Sequence, residues 1–195
     1  MVYNILCLLI LLSSKFSHIK IGMSKISMQK ETNYSRKNAC VFWGIILVAL
    51  CALRSFSIGV DMTAYKWIFE EAKGYRSLSD YLRVYSYFEY SFRILNYIFS
   101  KYLNFRLFII VLSIISIAPI IYIINKYSAN WAMSLFLYIS FGYYTDCMSF
   151  LRQMAAIGFT VLAFNYAREK KLFKYLLCIA IGITFHSSPI FNTFS

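Results

Sequence analysis

The chain has 195 residues, of which 60% are apolar, 19% aromatic and only 14% charged. This apolar share lies well above the roughly 45–50% of a soluble domain, and it predicts a membrane protein with several spanning helices. The net charge of +12 would suggest nucleic-acid binding in a soluble protein. Here no basic stretch interleaves with aromatic residues, and we interpret the charge as loop charge beside anionic lipid.

The five cysteines are scattered through apolar runs and show neither CxxC nor Cys/His spacing. We expect them to be small buried hydrophobic residues, and we predict neither a metal site nor a cofactor. The chain contains no internal repeat, no Gly/Ser/Pro linker and no low-complexity tract. One integral membrane domain over residues 1–195 is therefore expected.

The first part of the chain alternates apolar and basic segments. Val2–Leu12 is a short apolar run without the basic start or cleavage site of a signal peptide, and it predicts a first helix. The next segment, Ser13–Asn38, is cytoplasmic by the positive-inside rule. Its charges are Glu31 against Lys15, Lys20, Lys25, Lys30, Arg36 and Lys37. Ala39–Leu53 then predicts a helix that crosses outward.

The segment Leu78–Tyr102 has apolar residues at helical period opposite a polar face. This pattern predicts one amphipathic helix that lies in the membrane interface instead of spanning it. The Lys and Arg distribution slightly favours the same arrangement. In that topology a set of polar residues falls on the extracytoplasmic side: Arg54, Asp61, Glu89, Asp146, Arg152, Gln153 and His186.

The second half of the chain supplies further predicted spans. Leu107–Ile124 is the clearest, since its only irregularity is Pro119, which neighbouring helices can accommodate. The others are Trp131 to about Thr145, about Leu151 to Ala167, and Leu172 to about Phe191. With the earlier runs they predict an all-α polytopic bundle of about six spans. The basic hairpin Arg168–Lys171 should be cytoplasmic.

Asp146 and the pair Arg152-Gln153 interrupt an otherwise apolar stretch between Trp131 and Ala167. A guanidinium stays charged, and its placement in lipid costs free energy, so it must face a partner or a wet cavity. This junction is therefore the first candidate for a functional site.

Short motifs lie at the ends of the apolar runs. They are Leu53-Arg54, Gly59-x-Asp61-x-x-x-Tyr65, Glu89 before an apolar span, Leu151-Arg152-Gln153-Met154-Ala155 and Phe185-His186-Ser187-Ser188. In this order and hydrophobic spacing they resemble the EpsG family of bacterial exopolysaccharide polymerases, which is related to Wzy-type polymerases. The resemblance extends from about Ala39 to Phe191.

The resemblance implies a multi-pass enzyme of the bacterial cytoplasmic membrane. Such an enzyme joins oligosaccharide repeat units carried on undecaprenyl pyrophosphate, at the extracytoplasmic face, in exopolysaccharide, capsule or O-antigen biosynthesis. The implied partners are that lipid-linked oligosaccharide, the bilayer, and a chain-length regulator and flippase of the same pathway. Family members are longer, so the chain corresponds to an N-terminal portion that lacks C-terminal spans. The alternatives are a non-catalytic, flippase-like transporter of lipid-linked sugars and an inactive truncated remnant.

Glycosyl transfer from a lipid pyrophosphate needs a cation for the leaving diphosphate and donors that hold the sugars. Arg152 is the expected diphosphate ligand, because its planar fork can bind phosphate oxygens bidentately. Alternatively it contacts lipid headgroups or pairs with Asp146, which we place in the same substrate-binding set. Arg54 would supply a second phosphate contact, and Gln153 would orient sugar hydroxyls.

The same reaction needs a base for the accepting hydroxyl. Asp61 is one candidate, and its alternative role is a helix N-cap. Glu89 is the competing carboxylate, which could instead pair with Arg93 four residues along a helix. His186 could bind diphosphate or sugar, or could add positive charge to Arg152. A purely interfacial role for His186 is the alternative.

Overall fold

Every element in the part of the chain that the structure describes is a helix. The computed structural model describes residues 2–16 and 25–186, with side chains over 3–13 and 35–186. The helices are α1 (Val2–Phe16), α2 (Lys25–Leu53), α3 (Met62–Ala72), α4 (Leu78–Val84), α5 (Tyr90–Tyr102), α6 (Phe105–Tyr127), α7 (Trp131–Ser140), α8 (Tyr143–Ser149), α9 (Leu151–Arg168) and α10 (Leu172–Phe185).

Within the described residues, two helical segments are long and apolar enough to cross a membrane, namely Ser35–Leu53 within α2 and the whole of α6. Shorter apolar helical segments occur at Tyr3–Ser13, Trp131–Ser140 and Leu172–Phe185. The all-α class is confirmed for the described residues. Two of the predicted spans are supported in this way, and the total of about six stays a prediction.

Helix α6 lies at the centre of the bundle, between α2 and α9, while α10 packs along α9. Small residues allow these close approaches. A Cβ added to Gly158 of α9 would lie only 2.2 Å from the carbonyl oxygen of Ile115 in α6. On the other side of α6, the same addition to Gly44 of α2 would lie 3.2 Å from Ile121 Cγ2. Both contacts bring a neighbouring helix directly against α6.

The single helix predicted over Leu78–Tyr102 is wrong, because the structure has α4 and α5 with a turn between them. The buried side chains explain the break. Asn96 Nδ2 donates a hydrogen bond of 2.6 Å to the hydroxyl of Tyr81. In one straight helix these residues would be about 22 Å apart along the axis. Folding α4 back onto α5 therefore buries both side chains in one aromatic cluster with Tyr85.

Other helix boundaries also differ from the prediction. The helix expected to run to about Thr145 ends at Ser140, since Gly142 adopts a left-handed backbone conformation with φ of 86° and α8 starts after it. Helix α2 begins at Lys25, inside the segment predicted as a basic loop. Helix α10 ends at Phe185, and the predicted continuation to Phe191 lies outside the described residues.

The path of the chain places α3, α4 and α5 at one end of the bundle. Arg106 Nη1, in the first turn of α6, donates to the carbonyl oxygens of Ala52 (2.8 Å) and Arg54 (2.7 Å) at the end of α2. The segment between them therefore returns to the end from which it leaves. At the opposite end, Arg36 Nη2 donates to the carbonyls of Ile124 (2.9 Å) and Ser128 (2.7 Å).

Candidate functional site

A charged cluster lies where the starts of α5 and α9 meet the end of α10. Glu89 immediately precedes α5, Arg152 lies in the first turn of α9, and His186 follows α10. Arg152 Nη1 forms an ion pair with Glu89 Oε2, and His186 Nδ1 lies 3.1 Å from Glu89 Oε1. The His186 nitrogen does not complete a hydrogen bond in this arrangement. The side chains of Glu89, Arg152 and His186 are 14%, 23% and 26% exposed, so the cluster is sheltered but reachable.

Aromatic rings hold the Arg152 guanidinium in position. Its central carbon lies 4.6 Å from the Phe88 ring centroid and 5.8 Å from that of Phe92. Arg152 Nε donates a long bond of 3.5 Å to the Tyr65 hydroxyl. Ring faces attract a cation, and this environment keeps the positive charge next to Glu89. The engaged atoms are Nη1 and Nε, and the guanidinium carries further N–H groups on Nη2.

Tyr65 joins the cluster from α3, where it is buried. Burial raises the pKa of its phenol most strongly, Arg152 opposes this effect, and the charges of Asp61 and Glu89 raise the pKa further. Tyr65 is therefore a neutral phenol near neutral pH and can donate or accept a hydrogen bond. Asp61 is thus one of the charges that act on the Tyr65 phenol.

Asp61 occupies the N-cap position of α3, as its alternative role required. Its side chain, however, makes no capping hydrogen bond. Its backbone carbonyl accepts from the Tyr65 N–H at 3.0 Å. The half-buried carboxylate is therefore not engaged by the backbone of its own helix and stays a candidate for the site.

Arg54 has different surroundings, because it is buried among backbone carbonyls. Its side chain donates to the carbonyl oxygens of Cys51, of Ile58 (3.1 Å) and of Met148 (2.6 Å). These bonds tie the end of α2 to the end of α8. The structure thus brings Glu89, Arg152 and His186 together, and it gives Arg54 a set of structural contacts.

The remaining predicted residues of the site are Asp146 and Gln153. Asp146 is half-buried in the first turn of α8, and Gln153 is exposed beside Arg152. The carboxylate that pairs with Arg152 is Glu89, so the alternative pairing with Asp146 is not the one observed. Arg93, the alternative partner of Glu89, donates to the carbonyl of Leu82 at 2.5 Å. Ser187 and Ser188 of the last motif lie outside the described residues.

The sequence interpretation gave no role to Tyr65, Phe88 or Phe92, although all three contact Arg152. Tyr65 is the last residue of the motif Gly59-x-Asp61-x-x-x-Tyr65, and this position was a signal for a functional role. The two phenylalanines carried no such signal, since many aromatic residues in the chain pack in the core.

Residues 37–193 match the family model of the EpsG family. The chain belongs to the EpsG family. The resemblance in the motifs is thereby confirmed. No curated protein and no solved structure matches the chain. EpsG membership and the two long apolar helices make it a polysaccharide-related membrane protein.

The EpsG match includes the charged cluster of Glu89, Arg152 and His186, and it also includes Asp61 and Tyr65. It also includes all of α6 and residues 37–53 of α2, which form most of the two apolar segments long enough to span a membrane. The cluster and most of the apolar bundle that carries it therefore lie within the matched region.

Proposed function

We propose that this EpsG chain acts in a membrane polymerase that joins oligosaccharide repeat units carried on undecaprenyl pyrophosphate. The observation that carries the proposal is the meeting of Arg152, Glu89 and His186 at one end of an apolar bundle. Glycosyl transfer from a lipid diphosphate needs a cation for the leaving group, a base for the acceptor hydroxyl and hydrogen-bond donors. A guanidinium, a carboxylate and an imidazole can supply these functions. We assign this end to the extracytoplasmic side of the cytoplasmic membrane, following the basic segments at the other end.

In the proposed reaction the hydroxyl oxygen of the acceptor sugar attacks the anomeric carbon of the donor. The bond from that carbon to the diphosphate oxygen breaks, and its electron pair leaves with the diphosphate. Arg152 stabilises the negative charge that develops on the leaving oxygens, and His186 can donate a hydrogen bond to them. This reaction depends mainly on the position of the charged groups. The rings of Phe88 and Phe92 hold the Arg152 guanidinium in position.

The proton of the attacking hydroxyl passes to a carboxylate. Glu89 is the nearer candidate, because it already contacts both Arg152 and His186. A diphosphate that binds Arg152 competes with Glu89 for the guanidinium and leaves the carboxylate available as a base. Asp61 is the second candidate, since its side chain makes no capping bond.

The test is to replace Arg152 in the chromosomal gene and to examine the length distribution of the glycan. Arg152→Ala and Arg152→Lys should both abolish long polymer while single repeat units still reach the surface. Arg168→Ala is the matched control, because Arg168 lies at the other end of α9 and also stacks on an aromatic ring, 4.4 Å from the Tyr127 centroid. A normal glycan ladder with Arg152→Ala, at normal protein level, would refute the assignment.

A second candidate function is transport of the lipid-linked sugar, and one observation favours it. An apolar groove of about 610 Å³ runs between α2 and α6, with Lys37 at one end and Leu53 at the other. Such a groove could hold a lipid tail over much of the membrane depth. Loss of a transporter retains substrate on the inner leaflet, whereas loss of a polymerase still allows single repeat units to be exported. Leaflet-specific labelling of the lipid-linked sugar in a deletion strain separates the two functions.

A further inference from the structure

Two exposed tyrosines flank Glu89 in the sequence. Tyr87 is 67% exposed and Tyr90 is 54% exposed, although both adjoin the sheltered charged cluster. Tyr87 lies in the turn between α4 and α5, and Tyr90 is the first residue of α5. An exposed ring of this kind beside a charged site offers an open aromatic face to a ligand, which a core aromatic does not.

Tyr87 is joined to the charged cluster through one ring. The centroids of Tyr87 and Phe88 are 4.4 Å apart, and the Arg152 guanidinium lies 4.6 Å from the Phe88 centroid. The Tyr87 ring also contacts Tyr85, at 5.8 Å between centroids, and Tyr85 is buried. These neighbours restrain Tyr87 on its inner side and leave most of the ring open outward.

Tyr90 differs, because a cation is already near its ring. The Arg93 guanidinium carbon lies 5.7 Å from the Tyr90 centroid, and the Arg93 side chain is held by its bond to the Leu82 carbonyl. Tyr90 thus has less free ring surface than Tyr87. Of the two, Tyr87 is the ring that can accept a flat ligand.

We propose that Tyr87 is a stacking platform for a sugar ring of the glycan, adjacent to the reacting groups. The inference rests on the proposed function and deepens it, since it assigns a carbohydrate subsite to the turn between α4 and α5. The C–H face of a pyranose is apolar and weakly positive, and it complements the negative face of an aromatic ring. Arg152 would hold the diphosphate while Tyr87 holds a sugar.

Saturation-transfer NMR on the purified chain in nanodiscs tests the subsite without requiring polymerisation. The probes are methyl glycosides of common hexoses, 6-deoxyhexoses and N-acetylhexosamines. We expect at least one probe to show saturation at the C–H protons of one ring face. Tyr87→Ala should weaken its affinity about five-fold, whereas Tyr87→Phe should retain it. Tyr102→Ala is the matched control, because Tyr102 is 79% exposed at the far end of α5.

The inference is overturned if no probe gives a signal with the unmodified chain, or if Tyr87→Ala binds as the unmodified chain does. An equal loss with Tyr102→Ala also overturns it, because the tyrosines would then act only as interfacial anchors. Arg152→Ala separates the two proposals. If Arg152→Ala abolishes polymer while Tyr87→Ala binds the glycoside as the unmodified chain does, only the sugar subsite is refuted. If Arg152→Ala gives a normal glycan ladder while glycoside binding still depends on Tyr87, only the proposed polymerase function is refuted.

Discussion

Glu89 and Arg152 form an ion pair between the start of α5 and the start of α9, although 63 positions separate them in the sequence. Their side chains are 14% and 23% exposed, so both charges are largely withdrawn from solvent. Removing one partner of such a pair leaves an uncompensated charge, which is costly. The pair has two effects. It joins the membrane bundle to the α3–α5 segment, and it fixes the Arg152 guanidinium beside His186.

Glu89→Gln keeps the shape of the side chain and removes its charge. We expect it to reduce polymer formation at least ten-fold, because the amide cannot accept a proton from the acceptor hydroxyl. Glu70→Gln is the control, since Glu70 also pairs with a cation, Lys73 at 2.5 Å, but is exposed on α3. The measurement is the glycan length distribution at matched protein levels. Equal activity of the two variants would exclude Glu89 as the base and would favour Asp61.

Arg54 tests whether a predicted site residue has a structural role instead. Arg54→Lys retains the charge, but a single ammonium cannot replace the fork that reaches the Ile58 and Met148 carbonyls. The unpaired carbonyls should cost about 1–3 kcal/mol and lower the melting temperature. Arg83→Lys, on the exposed side of α4, should leave the melting temperature unchanged. A stable Arg54→Lys protein with lost polymer would instead restore the phosphate-binding role.

The all-helical class followed from the long apolar runs, and the short motifs at their ends singled out Glu89, Arg152 and His186. The aromatic residues around Arg152 were not predicted, because aromatic residues occur throughout the chain. The partner of Arg152 did not follow. Asp146 was nearer in sequence, and the choice of Glu89 depends on how α5 packs against α10 and α9. Local spacing likewise suggested a pair with Arg93, but Glu89 is the extended N-cap residue of α5 and pairs with Arg152, whereas Arg93 donates to the Leu82 carbonyl.

The break within Leu78–Tyr102 could not be predicted from periodicity. Its apolar spacing fits one continuous helix as well as it fits two, and no Gly or Pro marks the turn. The turn is set by burial of Tyr81 against Asn96, which is a tertiary contact. By contrast, the early end of α7 had a local signal in Gly142, whose φ of 86° favours glycine.

Gly158 should be the least replaceable of the glycines inside the described helices. Its added Cβ in Gly158→Ala would meet the Ile115 carbonyl oxygen at 2.2 Å, and backbone must move to relieve this contact. We expect a loss of about 1–3 kcal/mol and a lower melting temperature. Gly182→Ala is the matched control, since its nearest contact is 3.4 Å, to the Ala156 carbonyl. Similar stability of the two variants would contradict the close crossing of α6 and α9.

Tyr81 predicts an alkaline limit to the stability of the α3–α5 segment. Burial raises its pKa from 10.0 to about 12, so the unfolded chain loses this proton first as the pH rises. The contribution of Tyr81 to the free energy of unfolding is complete below pH 10. It falls by roughly 2–3 kcal/mol between pH 10 and about 12. Thermal unfolding measured across this range should show a steep decline that Tyr81→Phe makes shallower. Tyr102→Phe, at an exposed position, should leave the slope unchanged.

Exchanging the two charges separates the structural role of the Glu89–Arg152 pair from its chemical role. Glu89→Arg and Arg152→Glu alone each leave like charges facing each other, and both should be degraded in the membrane. The double exchange restores an attractive pair, so protease resistance should recover by a coupling free energy of about 1–3 kcal/mol. Polymer should not recover, because the cation would then project from the α5 side of the site and the carboxylate from the α9 side. If the exchanged protein makes normal polymer, the position of the guanidinium is irrelevant to the reaction and Arg152 is not the diphosphate ligand.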